Sequence, residues 1–172
     1  MKVLITAFKP FNNEKINHSS EVLKYLQTFD NIILDVIYDE CYQELTSKYN
    51  LNDYELIISL GEARSRNELT LETQAWNLSS CSLKDNKGNL FKDLVINPDF
   101  DETLKTKVNI DCCKELIKFS FDAGKFVCNN LYFHLLMNFP EKAIFIHIPE
   151  SKQEDYTIHA ETIIKIINAI LK

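Results

Sequence analysis

Short apolar runs alternate with helical patterns from one end of this chain to the other. Lys2–Phe8, Asn31–Tyr38, Tyr54–Leu60 and Ala143–His147 have strand length and strand composition. Between them, Asn17-His18-Ser19-Ser20 reads as a helix entrance, with Val22, Leu23, Tyr25 and Leu26 as the apolar face behind it. Cys41–Tyr49 reads as a short helix, and Cys128–Phe139 as an apolar helix stopped by Pro140. Tyr156–Leu171 has Ile163, Ile166, Ile167 and Ile170 on one side of a C-terminal amphipathic helix. Strands alternating with helices predict a three-layer α/β domain. With 172 residues and no repeat, linker or low-complexity stretch, residues 1–172 are expected to form one domain.

The middle of the chain is less regular. Asn67–Leu78 alternates with period two, Leu69, Leu71, Thr73 and Ala75 against Glu68, Thr70, Glu72 and Gln74, and predicts a single strand. Ser79–Asn109 has no clear period, and Lys84–Asn89 is turn-rich. Ile110–Leu116 is expected to be helical and Ile117–Phe121 a short strand.

Charge and cysteine usage narrow the function classes. There are 25 acidic and 19 basic residues, a formal net charge of -6, and no basic run, which disfavours nucleic acid and anionic membranes as partners. The apolar runs are too short to span a bilayer, and Met1–Thr6 is too short for the core of a signal peptide. The five cysteines, an odd number without a C-x-x-C pair, argue against a disulfide framework or a zinc site. Reduced thiols in a cytoplasmic protein without metal or organic cofactor are the expectation.

Only three glycines occur, Gly61, Gly88 and Gly124, so each marks backbone with a special requirement. Gly61 ends the third apolar run, a common place for a ligand loop in an α/β sheet. Gly124 precedes Cys128, which opens an apolar helix, and His147 ends the run Ile144–His147. A thiol and an imidazole, with a carboxylate to orient the imidazole, are the set a cysteine hydrolase needs. For the carboxylate, Glu68 and Glu72 share one face of the alternating segment, and the residues alone leave both open. Taken singly, Cys128 reads as a small buried hydrophobe, His147 as a core histidine, and Phe8 and Phe11 as core. Cys41, Cys81, Cys112 and Cys113 read as structural, His18 and His159 as surface residues, and Arg64 and Arg66 as loop charges. His134 falls on the far side of the Cys128 helix. A thiol at a helix start beside an imidazolium is expected to have a lowered pKa, and backbone N–H groups there would form an oxyanion hole.

The order of motifs carries more than any one of them. Val3-Leu4-Ile5-Thr6-Ala7-Phe8-Lys9-Pro10-Phe11 is followed by Glu14-Lys15-Ile16-Asn17, then by Leu60-Gly61-Glu62-Ala63-Arg64-Ser65-Arg66. Leu71-Glu72, Asn77 and Asp85-Asn86-Lys87-Gly88 come next, then Ala123-Gly124-Lys125-Phe126-Val127-Cys128-Asn129 and Ile146-His147-Ile148-Pro149. In this order, and nearly end to end, the chain resembles the pyroglutamyl peptidase I (pyrrolidone-carboxylate peptidase) family of cysteine peptidases.

The resemblance implies an α/β/α sandwich on a mixed, mostly parallel sheet, and a homo-oligomer, tetramer or dimer. It implies Cys128 as nucleophile, His147 as general base and then acid, and Glu72, by the family's spacing, as the residue that orients His147. Phe8 and Phe11 would line the pyroglutamyl pocket, with Glu62 and Asn17 also binding substrate. The substrates would be peptides with N-terminal pyroglutamate, and no metal or cofactor would be needed. Two departures stand out. Asn12-Asn13 replaces the family's Gly-Gly, and asparagine tolerates the left-handed dihedrals such a turn needs. Ser82 replaces an arginine ten residues after Glu72. The chain is also shorter than typical members between Asp93 and Phe121 and between Met137 and Ala143. A weakened or inactive relative that binds a small lactam or amide, and an amidase using the same triad, are the competing readings.

Overall fold

A computed structural model of the protein describes residues 2–172; Met1, where the N-terminal reading begins, lies outside them. Four of the apolar runs form the sheet core: β1 (Val3–Phe8), β2 (Asp30–Leu34), β3 (Leu56–Glu62) and β8 (Ala143–Ile148). Short strands β4 (Thr70–Glu72) and β7 (Lys118–Ser120) complete a six-stranded sheet in the order β2-β1-β3-β8-β4-β7. Every pairing is parallel except β8 with β4. Strands β5 (Gln74–Trp76) and β6 (Thr103–Lys105) form a separate antiparallel pair.

Period-two alternation sends the two faces of each central strand into different cores. Ile144, Ile146 and Ile148 of β8 join residues of α1 (His18–Leu23) and α4 (Gln153–Ile170) on one side. Ala143 and Phe145 join α2 (Glu40–Lys48) and α3 (Val127–Asn138) on the other. This is the three-layer α/β arrangement on a mixed, mostly parallel sheet expected from the sequence.

Three local expectations need correction. The alternating segment Asn67–Leu78 is two strands. After Glu72 the chain turns out of the sheet, Thr73 donating to Ser120 O at 2.8 Å from its backbone and 3.0 Å from its hydroxyl, and Ala75 pairs with Leu104 instead. Alternation survives such a break, so it does not reveal it. The expected helix at Ile110–Leu116 is one 3-10 turn, Asp111–Cys113, whose capping position is held by Ile110. Isoleucine offers no side-chain acceptor for the first turn. His18, read as a surface residue, is buried with Nδ1 2.8 Å from the Tyr156 hydroxyl, and half-buried His159 has Nε2 2.9 Å from Ser151 Oγ.

Candidate active site

The C-terminal ends of β1, β3 and β8 lie side by side, because these strands are parallel neighbours. The loops that leave them therefore converge at one edge of the sheet. A cavity of about 420 Å³ opens there, lined by Phe8, Phe11, Asn17, Glu62, Cys128 and His147 among others. The substrate-binding and thiol–imidazole candidates from five segments of the chain thus meet at one place, with Glu72 directly behind His147.

Register explains how Cys128 and His147 come together. Gly61 pairs with His147 across β3 and β8, so both face the α3 side of the sheet. A methyl group built on Gly61 would lie 2.6 Å from Cys128 Sγ and 2.7 Å from Phe145 Cζ. Only glycine admits so close an approach of the thiol to the strand. The turn that starts α3 uses the other glycine of the site: Gly124 has φ +73°, and its N–H donates to Asp122 Oδ1 at 3.0 Å. Cys128 is the second residue of α3, and the capping residue Phe126 makes no side-chain cap. The first-turn N–H groups, which have no partner inside a helix, lie where Val127 and Cys128 line the cavity.

Glu72 reaches His147 diagonally across an antiparallel pair. Thr70 stands opposite His147 and Glu72 opposite Phe145, which puts Glu72 and His147 on one face, offset along the strands. Glu72 Oε1 is 2.8 Å from His147 Nδ1, and the two side chains are 0% and 6% exposed. A carboxylate only accepts, so Nδ1 carries the proton and Nε2 is left unprotonated in the neutral ring. The other candidate, Glu68, is exposed and pairs with Lys118 at 3.1 Å.

Arg66, read from the sequence as a loop charge, belongs to this group. Its Nη2 donates to Glu72 Oε1 at 3.1 Å, to Ser120 Oγ at 2.9 Å and to Asp122 O at 2.7 Å. Burying a carboxylate is costly unless it is paired, and Arg66 supplies the pair. Arg64 does the same for Glu62, whose side chain is 2% exposed: Nε donates to Glu62 Oε1 at 2.6 Å, and Nη1 to Glu14 Oε1 at 2.8 Å. Ser120 gave no signal in the sequence. For Arg66 the one available pointer was its position in the motif that follows Gly61.

The thiol itself departs from expectation. Burial, and then the charges of Glu62 and Glu72, push Cys128 from its ordinary 9.0 up to about 12. Both carboxylates and the packing of the thiol against β3 favour the protonated form, against the pull of the helix terminus.

The remaining candidates shape the cavity wall. Phe11 packs against Phe126 with ring centroids 5.6 Å apart. Asn12 and Asn13 adopt φ of 53° and 61°, the left-handed region, so asparagine does here what glycine would do. Asn17 caps α1, Oδ1 accepting from Ser19 N at 3.0 Å and from Ser19 Oγ at 2.7 Å, while its Nδ2 donates to Lys9 O at 3.1 Å. These bonds fix the loop that carries Phe11. Ser82 is exposed and lines a neighbouring cleft with Phe11, Asn12 and Asn13.

Comparison with known proteins agrees along the whole chain. The family model described as pyroglutamyl peptidase matches residues 1–161. The pyrrolidone-carboxylate peptidase of Staphylococcus haemolyticus is 30% identical, the alignment covering 100% of this chain and 92% of the relative. That of Brachyspira hyodysenteriae is 34% identical, over 87% and 83%. Among solved structures, pyroglutamyl peptidase I of Bacillus amyloliquefaciens superposes with a TM-score of 0.86 at 25% identity, covering 98% and 96%. A mutant pyrrolidone carboxyl peptidase from Pyrococcus furiosus, at 23% identity and TM-score 0.86 over 99% and 98%, shares the fold. The chain belongs to the pyroglutamyl peptidase family of cysteine peptidases.

Proposed function

We propose that the protein hydrolyses the amide bond after an N-terminal pyroglutamyl residue, acting as one peptidase domain without a cofactor. The observation that carries this reading is the 2.8 Å contact between His147 Nδ1 and buried Glu72 at a cavity shared with Cys128. Substrate enters with its lactam ring against Phe8 and Phe11, an apolar wall suited to a small neutral ring. Cys128 Sγ bonds to the carbonyl carbon while its proton passes to His147 Nε2, and Glu72 stabilises the imidazolium. First-turn amides of α3 hold the oxyanion. His147 then protonates the departing amine as the C–N bond breaks. Water gives a proton to His147 and attacks the thioester, the C–S bond breaks, and free pyroglutamate leaves with the thiol restored.

The raised thiol pKa favours proton removal during attack over a preformed thiolate. The same raised pKa is the observation behind a second reading, a slow or inactive relative that binds a small lactam or amide. Hydrolysis of a fluorogenic pyroglutamyl amide by the purified protein under reducing conditions separates the two, with Cys128→Ser as the paired control. Turnover that disappears in the variant supports the peptidase reading. A folded, reduced wild type without turnover sinks it, and Ser82→Arg is then the variant that tests for lost activity.

A further inference from the structure

Two arginines, Arg64 and Arg66, leave the turn after β3 and go to different buried carboxylates. Arg66 goes to Glu72 and Arg64 to Glu62. The Arg66 pair orients the imidazole partner. The Arg64 pair has no such duty, yet Glu62 is the residue after Gly61, on which the thiol rests, and it lines the same cavity. Its carboxylate accepts the His18 N–H at 2.8 Å through Oε2 and Arg64 through Oε1, so it is fixed and almost fully buried. Arg64 is itself well exposed, as is Glu14 at its other end. An exposed ion pair contributes little to stability, but a counter-charge on a buried carboxylate acts where screening by water is weak.

We propose that Arg64 is a positioning residue that tunes the reactivity of Cys128 by neutralising Glu62. The other ionisable groups around the thiol are Glu72 on β4, His147 on β8, Arg66 in the turn after β3, Asp122 in the loop before α3, Tyr38 in the loop before α2 and Cys41 in its first turn. Within this set, Glu62 and Glu72 oppose ionisation of the thiol. Each has one arginine, and Glu62 has no other cation on its carboxylate among the described residues, so removing Arg64 leaves that charge without its counter-ion at the cavity Cys128 lines. Arg64 also reaches Glu14, whose N–H bonds Phe11 O at 3.0 Å, so the same side chain ties the Phe11 turn to the end of β3.

The inference rests on the peptidase reading only for its link to turnover, because the test reads the thiol directly. The rate of alkylation of Cys128 by iodoacetamide is followed by peptide mass spectrometry from pH 7 to 10.5 for the wild type, Arg64→Gln, Glu62→Gln and the double variant. A charge role makes Arg64→Gln slower, roughly tenfold, as for a thiol pKa raised by one unit. It makes Glu62→Gln faster and returns the double variant to near the wild-type rate, while Arg64→Lys keeps most of it. A role confined to holding the loop shifts both single variants the same way and leaves the double unrestored, which overturns the proposal, as does no change in Arg64→Gln. If Arg64→Gln does not fold, Glu62→Gln decides alone: alkylation at or below the wild-type rate overturns it. A wild type that turns over no pyroglutamyl amide yet shows the expected alkylation pattern would count against the peptidase reading and leave the charge role standing.

Discussion

Glu72 and His147 stand on antiparallel neighbours, one diagonal step apart on the same face of the sheet, with Oε1 and Nδ1 separated by 2.8 Å. The relationship depends on β4 pairing antiparallel with β8, whereas the other pairings of the six-stranded sheet are parallel. A shift of one residue would turn Glu72 to the opposite face and bring Leu71 or Thr73 in its place.

Replacing Glu72 by glutamine removes the acceptor-only group. The amide can present N–H to Nδ1 and stabilise the wrong tautomer. Turnover of a pyroglutamyl amide is expected to fall roughly a thousand- to ten-thousandfold in kcat, with KM little changed. A KM effect alone, with kcat intact, would assign Glu72 to binding instead.

Gly61→Ala tests the close approach of the thiol. The added methyl meets Cys128 Sγ and the Phe145 ring at sub-contact distances. Overpacking of this kind costs about 1–3 kcal/mol, read as a lowered urea midpoint, and turnover drops with displacement of the sulfur. Unchanged stability and activity would mean the sulfur is not held against β3.

Alkaline stability follows from the thiols. Burial pushes Cys41 and Cys113 up from 9.0, Cys113 to about 12, and Cys128 lies at about 12 as well. The unfolded chain therefore ionises first. Below pH 9 both states are protonated and the thiols add no pH dependence; between pH 9 and 12 the unfolded state binds fewer protons, so stability falls as pH rises. Urea unfolding at pH 8 and pH 10.5 measures the drop, and Cys128→Ala should lessen it. An equal drop in that variant would place the titration elsewhere.

Thr6 and Ser59 are register partners on the α3 side of β1 and β3, and their buried hydroxyls have no hydrogen-bond partner among the described residues. An unpaired buried hydroxyl is unfavourable, so Ser59→Ala and Thr6→Val should each stabilise by about 1 kcal/mol. Destabilisation in thermal unfolding would show that these hydroxyls are satisfied in solution.

Much of the architecture was legible because it rests on local periodicity. The runs at Val3–Phe8, Leu56–Leu60 and Ala143–His147 are almost wholly apolar since both faces are covered, and the helices α2, α3 and α4 fall within a few residues of expectation. Asn17 was legible as a helix entrance because its cap is a contact over two residues. The break after Glu72 was not, because period two continues through it, and neither was β6, three residues long.

For the site, sequence alone determined which candidate groups were available: one cysteine after a glycine turn, one histidine at the end of an apolar run, and two glutamates on one face of an alternating segment. Choosing Glu72 over Glu68 by tertiary contact, pairing Arg64 and Arg66 with buried carboxylates, and setting two carboxylates around the thiol's cavity were decided by the fold. The reason is physical. Residue type and spacing act along the chain, whereas the burial and the opposing charge that fix an ionisable group's behaviour come from strands and loops far apart in sequence: Glu62, Glu72 and Cys128 become neighbours only when β3, β4 and α3 pack around one cavity.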